Sequence, residues 1–93
     1  MINFVTKYEY SGRNYTTLSM LGYDEDDAFV TFKQAIKMEG LNGKKLKGIK
    51  KAATLVRFSK TETEIDPETG KQQPKPIYFS VFDVKDVLAR RAA

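Results

Sequence analysis

The chain contains no cysteine, no histidine and no tryptophan among its 93 residues. Without thiols or imidazoles it has no disulfide, no zinc site of the usual Cys/His type, no cysteine nucleophile and no histidine-dependent triad. It also has no apolar run near the roughly 18 residues that span a bilayer, and no N-terminal apolar segment of signal-peptide length. We therefore expect a cytoplasmic protein that contacts no membrane and carries neither a metal nor another cofactor.

The residues that are present are distributed unevenly by charge. The net charge is +4, with 41% hydrophobic and 30% charged residues, and the length fits a single domain over residues 1–93 with one small core. Residues 1–39 hold four basic and six acidic side chains, whereas residues 40–93 hold twelve basic and six acidic ones. The second part of the chain is therefore expected to contact acidic or phosphate-bearing partners.

Alternating side chains at the start of the chain predict a β-hairpin. Residues 2–10 place aromatic and β-branched side chains on one face and polar side chains on the other. Residues 11–14 carry a turn composition, and residues 15–21 read as the returning strand.

An amphipathic pattern predicts the main helix over residues 24–39. Asp24 is suited to the N-cap, and Asp27 can reach back to it as in a capping box. Phe29 and Phe32 recur at helical spacing, which predicts that they face the sheet.

The second part of the chain predicts another hairpin and a closing helix. A strand-like composition runs from about 49 to 65, Asp66–Gly70 is a strong turn, and a further strand follows over 77–82. Because the two prolines after the turn cannot occupy a central strand, residues of about 60–75 are predicted to project as a polar arm. Asp83 then caps a short C-terminal helix.

These elements together predict an α+β fold in ββαββα order. The expected architecture is a single antiparallel sheet with one main helix packed on its apolar face and a short helix at the C-terminus.

The acidic residues predict no catalytic or metal site. Four carboxylates in succession, Asp24 to Asp27, fan out by about 100° per residue at a helix start and cannot converge on one ion. The glycines near the lysines lack the strand-to-helix context of a phosphate loop. We therefore expect that the protein is not an enzyme.

A lysine-rich segment is the sharpest functional signal. Five lysines fall within eight residues that contain no acid: Lys44, Lys45, Lys47, Lys50 and Lys51. Such a cluster can bind a phosphate backbone or an acidic protein surface, and Arg57 and Lys60 are expected to extend it along the following strand. The alternative is a solvated face in which the lysines surround the apolar Leu46 and Ile49.

Tyrosines form the second candidate binding surface. Tyr8, Tyr10 and Tyr15 fall on the predicted first hairpin, where their rings could stack on bases or anchor a protein interface. The alternative is that they cover the sheet as part of the core.

In its small size, its lack of a catalytic constellation, its polar arm and its single lysine-rich patch, the chain resembles small phage-encoded inhibitors of the anti-CRISPR kind. That resemblance is one of general type, and it carries over no individual residue. It implies a protein that acts by binding a larger protein or nucleoprotein complex in the host cytoplasm.

The sequence is therefore compatible with three functions. The leading hypothesis is a non-enzymatic binding protein, an inhibitor that sterically occludes its target while the basic patch contacts acidic or phosphate groups. The alternative is a small nucleic-acid-binding module that contacts DNA or RNA directly through Lys44–Lys51 and the hairpin tyrosines. A virion or assembly subunit is the third, and the sequence leaves the oligomeric state open.

Overall fold

The computed structural model describes residues 1–92 as a mixed four-stranded sheet with three α-helices. Along the chain the elements are β1 (Ile2–Asn3), α1 (Gly12–Met20), β2 (Ala28–Thr31), α2 (Phe32–Ile36), β3 (Ala53–Ile65), β4 (Gln72–Asp83) and α3 (Val84–Ala89), followed by a 3-10 turn at Arg90–Ala92. The sheet order is β1-β2-β4-β3, in which β1 and β2 are parallel and the other neighbours antiparallel. The α+β class is confirmed, whereas the all-antiparallel sheet and the ββαββα order are wrong.

The predicted first hairpin is replaced by a short strand and a helix. Residues 15–21, predicted as the returning strand, lie mostly in α1 and the turn after it. Leu18 of this helix is fully buried, and Asn14 bonds to the backbone of β3. The β-branched composition misleads here because strand preference is weak and yields to burial against the rest of the fold.

The predicted main helix over 24–39 is also wrong. Asp24 and Asp27 do form two hydrogen bonds with each other. The Asp24 backbone N–H donates to the Asp27 carboxylate at 2.9 Å, and the Asp27 N–H donates to the Asp24 carbonyl. These bonds close a turn that leads into β2. Residues 28–31 are a central strand, and the helix begins only after Thr31, which forms a capping box with Gln34. Phe32, predicted to be buried, is 41% exposed.

The core lies on both faces of the sheet rather than one. Phe29 and Val30 of β2 are each fully buried but point to opposite faces, as successive strand residues must. One cluster contains Met1, Tyr10, Leu18, Phe29, Ala53, Leu55 and Val81. The other contains Val30, Ala35, Leu41, Leu46, Phe82, Val84 and Val87. The sequence predicts a helix here, with one buried face, because burial on both faces of a strand removes the period of two that marks a strand.

The β3–β4 hairpin continues well beyond the short β2. On β4, β2 pairs only with residues 81–83, whereas β3 and β4, which are 13 and 12 residues long, pair with each other through residues 53–58 and 63–65 of β3. The longest dimension of the molecule is 52 Å, against 26 and 22 Å for the other two. Asp66–Gly70 forms the turn at its tip as predicted, with Gly70 at φ 70°. The C-terminal helix capped by Asp83 is likewise confirmed.

Candidate functional site

Residues 41–52 form a segment here called the lysine loop, in which the lysines surround a buried leucine. Leu46 is 1% exposed and belongs to the second core cluster, and Ile49 packs against that cluster. Four of the five lysine side chains are exposed, and Lys45 is half-buried. The apolar residues thus fix the loop on the body while the ammonium groups remain in water.

The end of α3 holds the lysine loop in place. The Arg90 guanidinium donates to the carbonyl oxygen of Lys47 at 3.1 Å and to that of Lys45 at 3.5 Å. The Lys45 ammonium donates in return to the Arg91 carbonyl at 3.2 Å. Two arginines therefore join the five lysines in one basic surface. The sequence pattern does not identify them, because more than 40 residues separate them from the loop.

The cations of this surface form no salt bridge in the part of the chain that the structure describes. Among residues 1–92, side-chain ion pairs join Lys75 to Glu62 at 3.8 Å and Lys85 to Asp27 at 3.4 Å, and none involves the seven cations of the lysine loop and the α3 end. One carboxylate, Asp86, lines a shallow cleft with Lys50 and Lys51. The surface is suited to a partner that brings several negative charges.

The three predicted tyrosines do not form a common platform. Tyr10 is 7% exposed and packs edge-on against Phe29, with ring centroids 6.1 Å apart. Tyr15 lies on α1 and donates its hydroxyl hydrogen bond to Glu25, and the Glu25 carboxylate raises the Tyr15 pKa. Tyr8 is 64% exposed and meets Tyr10 edge-on at 6.2 Å. Tyr8 is therefore the one of the three whose ring is largely open to a partner.

Two adjacent clefts, here called the Arg57 clefts, form a second candidate surface. The first, of about 470 Å³, is lined by Asn3, Thr6, Tyr8, Tyr10, Asn14, Val56, Arg57, Phe58 and Phe79. The second, of about 440 Å³, is lined by Thr31, Phe32, Lys33, Arg57 and Phe79. Arg57 and Phe79 are common to both, and neither lining contains an acidic residue.

Arg57 lines both clefts together with Phe79, and no residue of the lysine loop lines either of them. The expectation that Arg57 extends the lysine patch along β3 stays a prediction. Lys60 lies on the exposed part of β3, within the irregular stretch between Phe58 and Thr63, and it lines neither cleft. The structure brings together Tyr8, Tyr10 and Arg57 of the predicted site residues.

A tight loop built on Asn3 places Tyr8 at the first cleft. The Asn3 side-chain oxygen accepts from the backbone of Val5 and of Thr6, both at 3.0 Å, and its backbone N–H donates to the Tyr8 carbonyl at 2.8 Å. Lys7 adopts a left-handed conformation, φ 63°, to close this loop. That conformation is costly for a residue with a Cβ, so the loop geometry is held by the surrounding hydrogen bonds.

The Tyr10 hydroxyl has no hydrogen-bond partner among residues 1–92, although it is buried. Burial raises the pKa of this phenol. The nearby Asn3 amide opposes that shift, but it donates to Gln34 at 2.9 Å and does not reach bonding geometry with Tyr10. Tyr10 is thus a buried residue of the first cleft's lining.

The described residues include no group of three or more carboxylates that could hold a metal ion. The longest helix, α1, has nine residues, and within residues 1–92 no helix has the length and apolar composition to cross a membrane.

Comparison with known proteins gives this chain no relatives. No protein-family model, no curated protein and no solved structure matches it. The resemblance to small inhibitors of the anti-CRISPR kind therefore stays a hypothesis.

Proposed function

We propose that this protein is a non-enzymatic binding protein that inhibits a larger protein or nucleoprotein complex by covering part of its surface. The lysine loop and the end of α3 would make the electrostatic contact with acidic or phosphate groups of the target. The observation that carries the proposal is the set of seven cations without an ion pair in residues 1–92, held by the bonds between Arg90 and the loop carbonyls.

The arrangement favours a binding role because the cations are presented on a fixed loop. Leu46 fixes the loop from the inside and Arg90 from the side. Less conformational freedom is then lost when a partner binds, which increases affinity for a given set of contacts. The surrounding charge would also accelerate association with a negatively charged target.

The alternative is a nucleic-acid-binding module, and the Arg57 clefts favour it. They combine a guanidinium with exposed rings and contain no acid, which is the composition of surfaces that bind single strands. The two functions differ in a measurable respect, since a nucleic-acid module binds naked polymer and an occluding inhibitor requires its protein target.

The test compares the wild-type protein with two triple variants. Lys44→Glu, Lys47→Glu and Lys50→Glu reverse three exposed charges of the lysine loop. The charge-matched control reverses Lys37, Lys71 and Lys75, which are exposed and lie outside the loop. Each protein is used to capture targets from nuclease-treated lysate, and its affinity for labelled DNA and RNA is measured by anisotropy at two salt concentrations.

An occluding inhibitor should retain a protein target after nuclease treatment. The loop variant should lose that target, and the charge-matched control should keep it. A target retained equally by both variants would contradict a role for the lysine loop. Strong binding of naked single-stranded DNA or RNA, with a salt slope of about −0.7 per phosphate contact, would instead support the nucleic-acid module.

A further inference from the structure

We propose that the Arg57 clefts bind single-stranded nucleic acid, with one base in each cleft and the phosphate between them on Arg57. This site is separate from the lysine loop, and the proposal does not depend on what that loop binds.

Arg57 lies where the two clefts meet, in a position to bind a phosphate. Its side chain is exposed, it lines both clefts, and it forms no ion pair within residues 1–92. A guanidinium is planar and offers parallel N–H donors, a geometry that matches the oxygens of a phosphate. Lys33 lines the second cleft and adds a further positive charge there.

Aromatic residues line both clefts. Tyr8 and Phe58 of the first cleft are 64% and 57% exposed, and Phe32 of the second cleft is 41% exposed. Phe79 is common to both clefts. Bases stack on such rings without regard to sequence, so aromatic side chains beside a cation are typical of single-strand binding.

The size of the two clefts suits a base. The clefts have volumes of about 470 and 440 Å³, within the range of sites that hold small organic groups. The bases of a single strand can turn into such clefts, whereas the bases of a duplex remain paired and stacked. A single strand is therefore favoured over a duplex.

Charge decides between a nucleic acid and a protein partner. Rings with an arginine are also typical of protein interfaces, where they act as anchors. Here, however, both linings lack an acidic residue and contain only basic charges, Arg57 and Lys33. A ligand with a regular negative backbone complements this surface better than a mixed protein surface does.

The experiment uses the full chain and an oligothymidine of about ten nucleotides, labelled at one end. Affinity is measured by anisotropy for the wild type, Arg57→Gln, Tyr8→Ala, Tyr8→Phe and Lys60→Ala. Lys60 is the matched control, because it lies on the same strand as Arg57 but lines neither cleft. Circular dichroism checks that each variant is folded.

Tyrosine fluorescence supplies a second readout. The chain has five tyrosines and no tryptophan, so stacking of a base on Tyr8 should quench part of the tyrosine emission. Tyr8→Phe keeps a ring for stacking but removes that emission. It should therefore retain affinity while showing less quenching, which a merely structural role of Tyr8 would not produce.

The expected result is that Arg57→Gln and Tyr8→Ala each weaken single-strand binding about fivefold or more, while Tyr8→Phe and Lys60→Ala stay near wild type. A same-sequence duplex should bind more weakly than the single strand. Unchanged binding by Arg57→Gln, equal binding of duplex and single strand, or no binding of either would overturn the proposal; the last result would leave the clefts as a protein-binding surface. Because the lysine-loop variant is measured separately, failure of one proposal does not imply failure of the other.

Discussion

The side-chain amide of Asn14 pairs with the backbone of Val56 in both directions. Its nitrogen donates to the Val56 carbonyl at 2.8 Å, and its oxygen accepts from the Val56 N–H at 3.0 Å. Val56 lies on β3, the edge strand of the sheet. The amide therefore takes the place that a fifth strand would occupy, and it attaches α1 to this edge.

Asn14→Ala should lower the free energy of unfolding by about 1–3 kcal/mol, because it leaves two partly buried backbone groups of Val56 unpaired. Urea denaturation measures the change. Met20→Ala is the control, since Met20 is 83% exposed on the same helix. Equal stability of the two variants would show that the Asn14–Val56 pair contributes nothing to the attachment of α1.

Replacement of two phenylalanines separates the observed strand from the predicted helix. Phe29 is fully buried in β2, with the Tyr23 ring edge-on at 5.0 Å, whereas Phe32 is 41% exposed. Phe29→Ala should cost about 3–5 kcal/mol of unfolding free energy, and Phe32→Ala should cost less. If Phe29→Ala is too unstable to measure, Phe29→Leu should give the same ranking. Similar, large costs for the two alanine variants would instead support a helix over 24–39, because that helix would bury both rings.

Two prolines protect the free edge of the long hairpin. Val56 and Tyr78 are partners in the β3–β4 pair, but both backbone groups of Val56 bond to Asn14, outside the sheet. Val56 and Tyr78 therefore form a pair without mutual hydrogen bonds, and the N–H and C=O of Tyr78 point away from β3. By alternation along β4, the nitrogens of Pro76 and Pro74 also point to the edge that β2 leaves unpaired. Neither nitrogen carries a hydrogen, so a strand added along this edge would lack two donors.

Replacing both Pro74 and Pro76 with threonine should therefore promote association through this edge. We expect a larger mass at high protein concentration in light scattering after size exclusion. Gln73→Thr is the control, because the Gln73 N–H points toward β3. A double variant that keeps the mass of the unmodified protein would show that these prolines do not limit edge pairing.

The free energy of unfolding should fall in alkaline solution. Burial raises the pKa of Tyr10 and of Tyr23, and Glu25 raises that of Tyr15, all from an ordinary value of 10.0. The hydrogen bond to Asp27 raises the pKa of Lys85 from 10.5. With raised pKa values, the folded state holds these protons more tightly than the unfolded state. Stability is then fully present below pH 10 and is lost as the pH rises above it, which chemical denaturation at several pH values would measure.

Tyr10→Phe isolates the buried phenol. It removes a hydroxyl that has no partner among residues 1–92, so we expect unfolding free energy to rise by about 1 kcal/mol at neutral pH. The alkaline loss of stability should also become smaller. Tyr78→Phe, at a tyrosine that is 65% exposed, should leave the unfolding free energy at neutral pH unchanged. Destabilisation by Tyr10→Phe would show that the hydroxyl is paired in solution.

The sequence by itself determined the features that depend on neighbouring residues. The turn at Asp66–Gly70 needs a glycine in the left-handed region, and the cap of α3 needs the Asp83 carboxylate two residues before the Lys85 N–H. The exposure of the lysines around Leu46 follows from the same short-range pattern. Even the bond between Asp24 and Asp27 was correctly anticipated, although it closes a turn rather than beginning a helix.

Only the tertiary structure decided which segments became helix or strand, and which functional residues meet. Residues 15–21 have a weak strand preference, and the spacing of Phe29 and Phe32 also fits a helix, so burial of Leu18 and of Phe29 and Val30 determines the conformation of these segments. Arg57 lines one cleft with Tyr8, and Arg90 bonds to the lysine loop, in each case across more than 40 residues of chain. Such contacts depend on the order and register of the strands. The packing of the whole core determines both, and neither can be predicted from the spacing of residues along the chain.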